Sequence, residues 1–319
     1  MLLELVSNIF IRDSILEILK RIGNAYSKYY EIKTNEKLCI FPLTKDVFKK
    51  SLDRLSEIQN KEDENLNGNV GVDIIKQICL NSISFKYFQS SSKFVINNIS
   101  LNIPINKTTA IVGQSGSGKT TLIKILLGFY TPQKGNIYIN GYNLESLFID
   151  QWRDKCGSVL QDGFIFSSTV AENIALGTKR LDIDRVKYAS KIACADEFIS
   201  LLPNKYNTRI GNTGIQLSGG QKQRLLIARA IYKDPEVLIF DEATSHLDTE
   251  NEKNIMLNFE KYLKNKTIIV IAHRLSTVVN ADKIIYLDKG QMTEEGTHSS
   301  LLRKKGSYYN LIKNQLQNN

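Results

Sequence analysis

Eight consecutive residues, Gly113-Gln114-Ser115-Gly116-Ser117-Gly118-Lys119-Thr120, constrain this chain more than any other stretch. Their spacing, G-x-x-x-x-G-K-[ST], is that of a phosphate-binding loop. The preceding residues, Thr108-Thr109-Ala110-Ile111-Val112, are apolar or β-branched and predict a buried strand. The following residues, Thr121 to Leu127, predict a helix that Gly128 ends. Strand, glycine loop and helix in succession give the spacing its physical meaning. Glycines let backbone N–H groups turn inward and approach an anion closely. The helix N-terminus behind them adds a partial positive charge. Lys119 can then reach the β- and γ-phosphates of a nucleotide, and the Thr120 hydroxyl can hold Mg2+.

Such a unit belongs in a sheet, and the rest of the chain supplies one. Val237 to Phe240, Thr267 to Ala272 and Lys283 to Leu287 are short apolar runs with helical patterns between them. That alternation predicts a mostly parallel α/β sheet. Upstream, Ile83, Phe85 and Tyr87 alternate, and Phe94 to Ile103 holds a second apolar run, with a hairpin turn expected over Gln89 to Ser92. Gly135 to Gly141 reads as a short strand between glycines, and Ser158 to Gln161 as another that ends on Gln161. From Asp162 to Ala230 the pattern turns mostly helical, and Asp234-Pro235 marks a turn.

Two further stretches carry chemistry. In Val237-Leu238-Ile239-Phe240-Asp241-Glu242, four apolar residues deliver two carboxylates to the end of a strand, where ligands bind in such folds. Asp241 is placed to bind Mg2+, and Glu242 to polarise an attacking water as general base. Leu217-Ser218-Gly219-Gly220-Gln221 stands before a predicted helix, Lys222 to Ile231. A serine, two glycines and a helix N-terminus make a second anion site.

GQSGSGKT, LSGGQ, VLIFDEATS and IAHR, in this order, resemble the ATP-binding cassette (ABC) ATPases, over roughly Ile78 to the C-terminus. The resemblance implies a P-loop NTPase core of the RecA-like kind, with an antiparallel β subdomain and a helical signature subdomain. It implies that ATP and Mg2+ are bound between two chains, the Leu217 to Gln221 motif of one closing over the nucleotide on the other. The nucleotide site would comprise Gly113, Gln114, Ser115, Gly116, Ser117, Gly118, Lys119, Thr120 and Thr121. Tyr87 would stack on adenine, with Phe85 and Phe88 as competing candidates. Gln161 would contact Mg2+ and the attacking water, His273 the γ-phosphate, and Asp248 the dimer interface. The catalytic set is then Glu242, His273 and Gln161, and the metal set Thr120, Gln161 and Asp241.

Within that family the exporter type is the nearest. Leu202-Pro203, Gly211, His273 to Thr277 and Glu295 to His298 match its pattern. Phe166 to Asn173 and Gly211 to Gly214 look most like bacterial exporters of peptides or bacteriocins that carry a leader peptidase. Leu52 to Glu64 is similar to the segment that joins the last transmembrane helix to the ATPase in those proteins. Asn212 departs from the glutamate many exporters have there, which puts contact with a transmembrane coupling helix in doubt.

Charge and hydropathy set the remaining bounds. The net charge is +9, yet residues 1–71 balance eleven basic against eleven acidic residues, so the excess lies in the later part. No basic run interleaved with aromatics argues for nucleic acid. Met1 to Ile22 is amphipathic, but Glu4, Arg12, Asp13 and Glu17 interrupt it, so no membrane span is expected. The four cysteines have neither metal-ligand nor redox spacing, which fits a reducing compartment. The expected organisation is a helical segment over 1–59, a linker over 60–72, and the ATPase domain over 73–319 with its helical subdomain at 162–232. The expected function is Mg-dependent ATP hydrolysis that powers export of a peptide or similar substrate. The chain would act as a homodimer or heterodimer at the inner face of a bacterial plasma membrane, with a separate transmembrane partner. Two alternatives stand beside it: a truncated exporter fragment that binds nucleotide and dimerises without transport, and a soluble ATPase unconnected with transport.

Overall fold

The computed structural model describes residues 68–87, 93–161, 163–178, 180–241, 262–272 and 278–317. The segment 1–59, most of the linker and the Gln89 to Ser92 turn therefore lie outside the described residues. Twelve strands are described: β1 (Ile78–Phe85), β2 (Ile96–Ile103), β3 (Thr108–Gly113), β4 (Lys134–Ile139), β5 (Tyr142–Asn143), β6 (Cys156–Val159), β7 (Ser168–Thr169), β8 (Arg209–Ile210), β9 (Val237–Asp241), β10 (Thr267–Ile271), β11 (Lys283–Asp288) and β12 (Gln291–Gly296).

The main sheet has the order β12-β11-β3-β10-β9-β6. Its inner strands pair in parallel, and only β12 runs antiparallel, along the edge. This is the predicted mostly parallel sheet, and β12 alternates exposed with half-buried residues as an edge strand should. Along β3, Ala110 and Val112 face one core cluster and Ile111 the other. Along β9, Leu238 and Phe240 separate from Val237 and Ile239 in the same way. Period-two alternation thus splits continuous apolar runs between two covered faces, so these strands carry no polar side. One face packs against Leu225 and Ile227 of the helix Gly219–Tyr232. The other packs against Leu122 and Ile125 of the helix Lys119–Leu126 and against the second sheet.

The second sheet is antiparallel, in the order β2-β1-β4-β5. Ile78 lies opposite both Ile103 and Ile139, and all three are buried. Between β6 and β9 lie the helices Val170–Ile174, Ile183–Ile192, Asp196–Ser200 and Gly219–Tyr232, with the ribbon β7-β8. That is the expected helical subdomain.

Three boundary shifts bear on the site. β6 ends at Val159, so Gln161 stands exposed in a turn two residues beyond the strand. The helix behind the phosphate loop begins at Lys119 rather than Thr121, and the later helix begins at Gly219 rather than Lys222. Gly118 and Ser218 stand at the N-cap positions, and the polar or glycine residues of the first turns behind them carry no apolar periodicity.

The Lys119–Leu126 helix is also held at its far end. Trp152, fully buried, donates its indole N–H to the Leu126 carbonyl at 2.9 Å. Arg153 donates to the carbonyls of Leu127 at 3.1 Å and Gly128 at 3.0 Å. These groups satisfy orphan carbonyls and place a cation at the negative end of the helix.

Candidate functional site

Because β3, β10, β9 and β6 are parallel, their carboxyl ends share one edge. Ile111, Ile271 and Asp241 are level in the ladder. The phosphate loop leaves β3 just beyond, and Gln161 leaves β6 on the same side. Ligands bind at this edge of an open α/β sheet.

The loop is closed behind and open in front. Gly118 caps the helix in the left-handed region, at φ +102°, and a Cβ there would come within 2.9 Å of the Val95 carbonyl oxygen. Only glycine fits so close to β2. At Gly116, by contrast, a Cβ would meet nothing within 4 Å, which leaves room for an anion over the loop. Lys119 is only 7 % exposed, and its Nζ donates to the carbonyls of Gly113 and Gln114, each at 2.9 Å. The ammonium is thereby held over the loop. Ser117 anchors the loop from below, accepting the Gly290 N–H at 3.1 Å.

The chemistry of the donor set fits Mg2+. Thr120 offers a hydroxyl from the first turn of the helix, and Asp241 a carboxylate that is 1 % exposed at the end of β9. Both are hard oxygen donors, the type Mg2+ selects, and a buried carboxylate is stabilised by a nearby cation.

Tyr87 and Phe85 separate by burial. Phe85 is 4 % exposed and belongs to the core, whereas Tyr87 is 44 % exposed. The Tyr87 hydroxyl makes a 2.8 Å hydrogen bond with the Thr121 hydroxyl, in the first turn behind the loop. Phe88, Glu242, Asp248 and His273 lie outside the described residues.

The Leu217 to Gln221 motif forms a capping box. The Ser218 hydroxyl accepts the Gln221 N–H at 3.3 Å, and the Gln221 side chain accepts the Ser218 N–H at 3.0 Å. Ser218 and Gly219 are exposed, so the positive end of this 14-residue helix faces outward.

One group on the signature helix carried no sequence signal. Arg229, on the same helix, donates to the Asn173 carbonyl at 2.8 Å, the Phe164 carbonyl at 2.8 Å and the Asn173 side-chain oxygen at 3.1 Å. Asn173 is fully buried and bonds the Phe166 backbone through both its oxygen and its nitrogen. Burial lowers the Arg229 pKa to about 10, which leaves the side chain cationic at neutral pH. The network thus ties the signature helix to the segment that follows Gln161. Arg229→Ala is expected to destabilise the domain by about 3 kcal/mol, because three hydrogen bonds from a largely buried cation are lost. Urea unfolding followed by the fluorescence of Trp152, the sole tryptophan, measures this.

A family model described as ABC transporter matches residues 96–245. The chain is 43 % identical over 270 residues to the leukotoxin export ATP-binding protein of Aggregatibacter actinomycetemcomitans, covering 84 % of this chain and 38 % of that protein. It is 43 % identical over 271 residues to the toxin RTX-III translocation ATP-binding protein of Actinobacillus pleuropneumoniae, with the same coverage. It therefore spans well under half the length of these relatives. Among solved structures, a bacterial Atm1-family ABC exporter with ATP bound superposes with a TM-score of 0.74 at 34 % identity, covering 84 % of this chain and 47 % of that one. Among the described residues, no helix is long and apolar enough to cross a membrane.

Proposed function

We propose that this chain, whose residues 96–245 match the ABC transporter family model, hydrolyses MgATP in a head-to-tail dimer that drives export of a toxin or similar polypeptide. The observation that carries the reading is the pairing, in one chain, of an open phosphate loop with a second, outward-facing helix N-terminus. A polyphosphate held by the loop of one chain presents negative charge to the helix end of another.

In this reading Lys119 and the loop amides hold the phosphates, and Tyr87 stacks on the adenine. Thr120, Gln161 and Asp241 hold Mg2+, which when bound neutralises charge on the transferred phosphoryl group. Glu242 accepts the proton of the attacking water. Gln161 and His273 orient that water and the γ-phosphate, with Asp248 at the dimer interface. Ser218 and Gly220 close the site from the partner chain. The membrane-spanning part of the exporter is supplied outside the residues described here, and the ATPase works at the inner face of a bacterial plasma membrane. The toxin cargo is carried over from the roles of the two relatives.

Mixing two inactive chains tests the shared site. Lys119→Met damages the loop, and Ser218→Arg damages the signature end. Each alone is expected to be inactive, while the mixture regains hydrolysis, because a mixed dimer rebuilds one intact site. Mixed dimers that form without regaining activity would place the whole site in one chain. Retrieval of the tagged chain from membranes, with identification of the spanning protein that accompanies it, tests the coupling to export.

A further inference from the structure

Tyr87 is held by more than its strand. It lies two residues beyond Phe85, the last residue of β1, where backbone pairing no longer fixes it. Its hydroxyl is bonded to Thr121 at 2.8 Å. A phenol held only at its oxygen can still turn about its long axis. Two ring contacts remove that freedom. Phe85 meets the Tyr87 ring at 5.1 Å between centroids and 82°, and Tyr130 meets it at 5.3 Å and 88°. Phe85 and Tyr130 also touch, at 5.2 Å and 37°. Perpendicular arrangements at this spacing are the favoured aromatic geometry.

Both outside supports come from the helix behind the phosphate loop and the segment that leaves it. Thr121 is in the first turn of the Lys119–Leu126 helix, and Tyr130 lies four residues beyond its last. The segment carrying Tyr130 is itself fixed. The Phe129 N–H donates to the Lys124 carbonyl at 2.9 Å, and Arg153 both bonds the Gly128 carbonyl and stacks over Phe129 at 4.9 Å. Tyr130 is 37 % exposed, so it is no core residue.

We propose that Thr121 and Tyr130 are positioning residues that lock the Tyr87 ring to the phosphate-loop helix. The base platform and the phosphate cradle then hold a fixed spacing before ATP arrives. This rests on the reading of Tyr87 as the surface on which adenine stacks. An aromatic side chain already in its bound orientation loses less rotamer freedom when a base stacks on it. The benefit falls on the adenosine part of the ligand and not on the polyphosphate.

The test compares two ligands, MgATP and inorganic tripolyphosphate, which has the phosphates without the base. Tyr130→Ala is expected to weaken ATP binding by about 2- to 10-fold, to raise KM rather than lower kcat, and to leave tripolyphosphate affinity unchanged. Tyr130→Phe keeps the ring contact and is expected to restore ATP affinity. Tyr87→Phe keeps the platform but removes the Thr121 bond, and is expected to lower the preference for ATP over tripolyphosphate. Trp152 fluorescence confirms that each variant is folded. An unchanged preference in Tyr130→Ala, or an equal loss for both ligands, overturns the lock. Tyr87→Ala separates the two ideas. If it lowers ATP affinity while Tyr130→Ala does not, the lock fails and the platform stands. If Tyr87→Ala leaves ATP affinity unchanged, the platform itself fails and the lock with it.

Discussion

Glu242→Gln is expected to bind MgATP and then stall, with turnover at least about 100-fold lower. Val237, Leu238, Ile239 and Phe240 of β9 are all buried, and the strand is held in parallel between β10 and β6. The strand can end only at the ligand edge, and Asp241 occupies that end. Glu242 is the next residue in the chain. Glutamine preserves its size and removes its capacity to take a proton, so binding survives and the chemical step does not. A 100-fold loss corresponds to about 2.7 kcal/mol of barrier. If ATP closes the proposed head-to-tail dimer and hydrolysis opens it, the variant is also expected to accumulate as a dimer in the presence of ATP. Phosphate release and size-exclusion chromatography with and without MgATP measure both effects. Undiminished turnover would assign the base to another residue.

Lys119→Met should act earlier, on binding. The ammonium is held over the loop by two carbonyls, so it is in place before any phosphate arrives. Hydrogen bonds to charged groups contribute about 1.5–3 kcal/mol, so ATP affinity is expected to fall by roughly 10- to 150-fold. Methionine retains most of the buried aliphatic stem, which limits the packing loss. The loop also loses two internal bonds, so a small drop in stability should accompany the loss of affinity. Calorimetric titration with MgATP, alongside urea unfolding read at Trp152, separates the two. An unchanged affinity would remove Lys119 from the phosphate site.

Much of this molecule was legible in its residues. The phosphate loop, the strands around it and Asp241 at the end of β9 follow from spacing and apolar runs. The exporter resemblance agrees with relatives named for toxin export and translocation. Less was legible at helix starts. Gly118 and Ser218 begin their helices through cap geometry, whereas periodicity registers only the later apolar residues. The apolar run Val159-Leu160 before it predicts Gln161 at the end of a strand. The parallel pairing of β6 with β9 stops at Val159, which leaves Gln161 in a turn at the ligand edge.

The choice between Tyr87 and Phe85 shows where sequence reading stops. Alternation along β1 cannot say which aromatic reaches the surface. Phe85 is buried in the core on the second sheet, which leaves Tyr87 as the exposed one of the two.

By itself, then, the sequence determined the local units of this protein: the glycine loop, its flanking strand and helix, and the Ser218 capping box. Each is set by backbone conformations and hydrogen bonds among near neighbours in the chain. Tertiary structure alone decided the pairings across distance. Tyr87 meets Thr121 across 34 residues, and Arg229 meets Asn173 across 56. Strand order brings the ends of β3, β9 and β6 to one edge. Those contacts depend on how two faces of one sheet are covered, which no short stretch encodes.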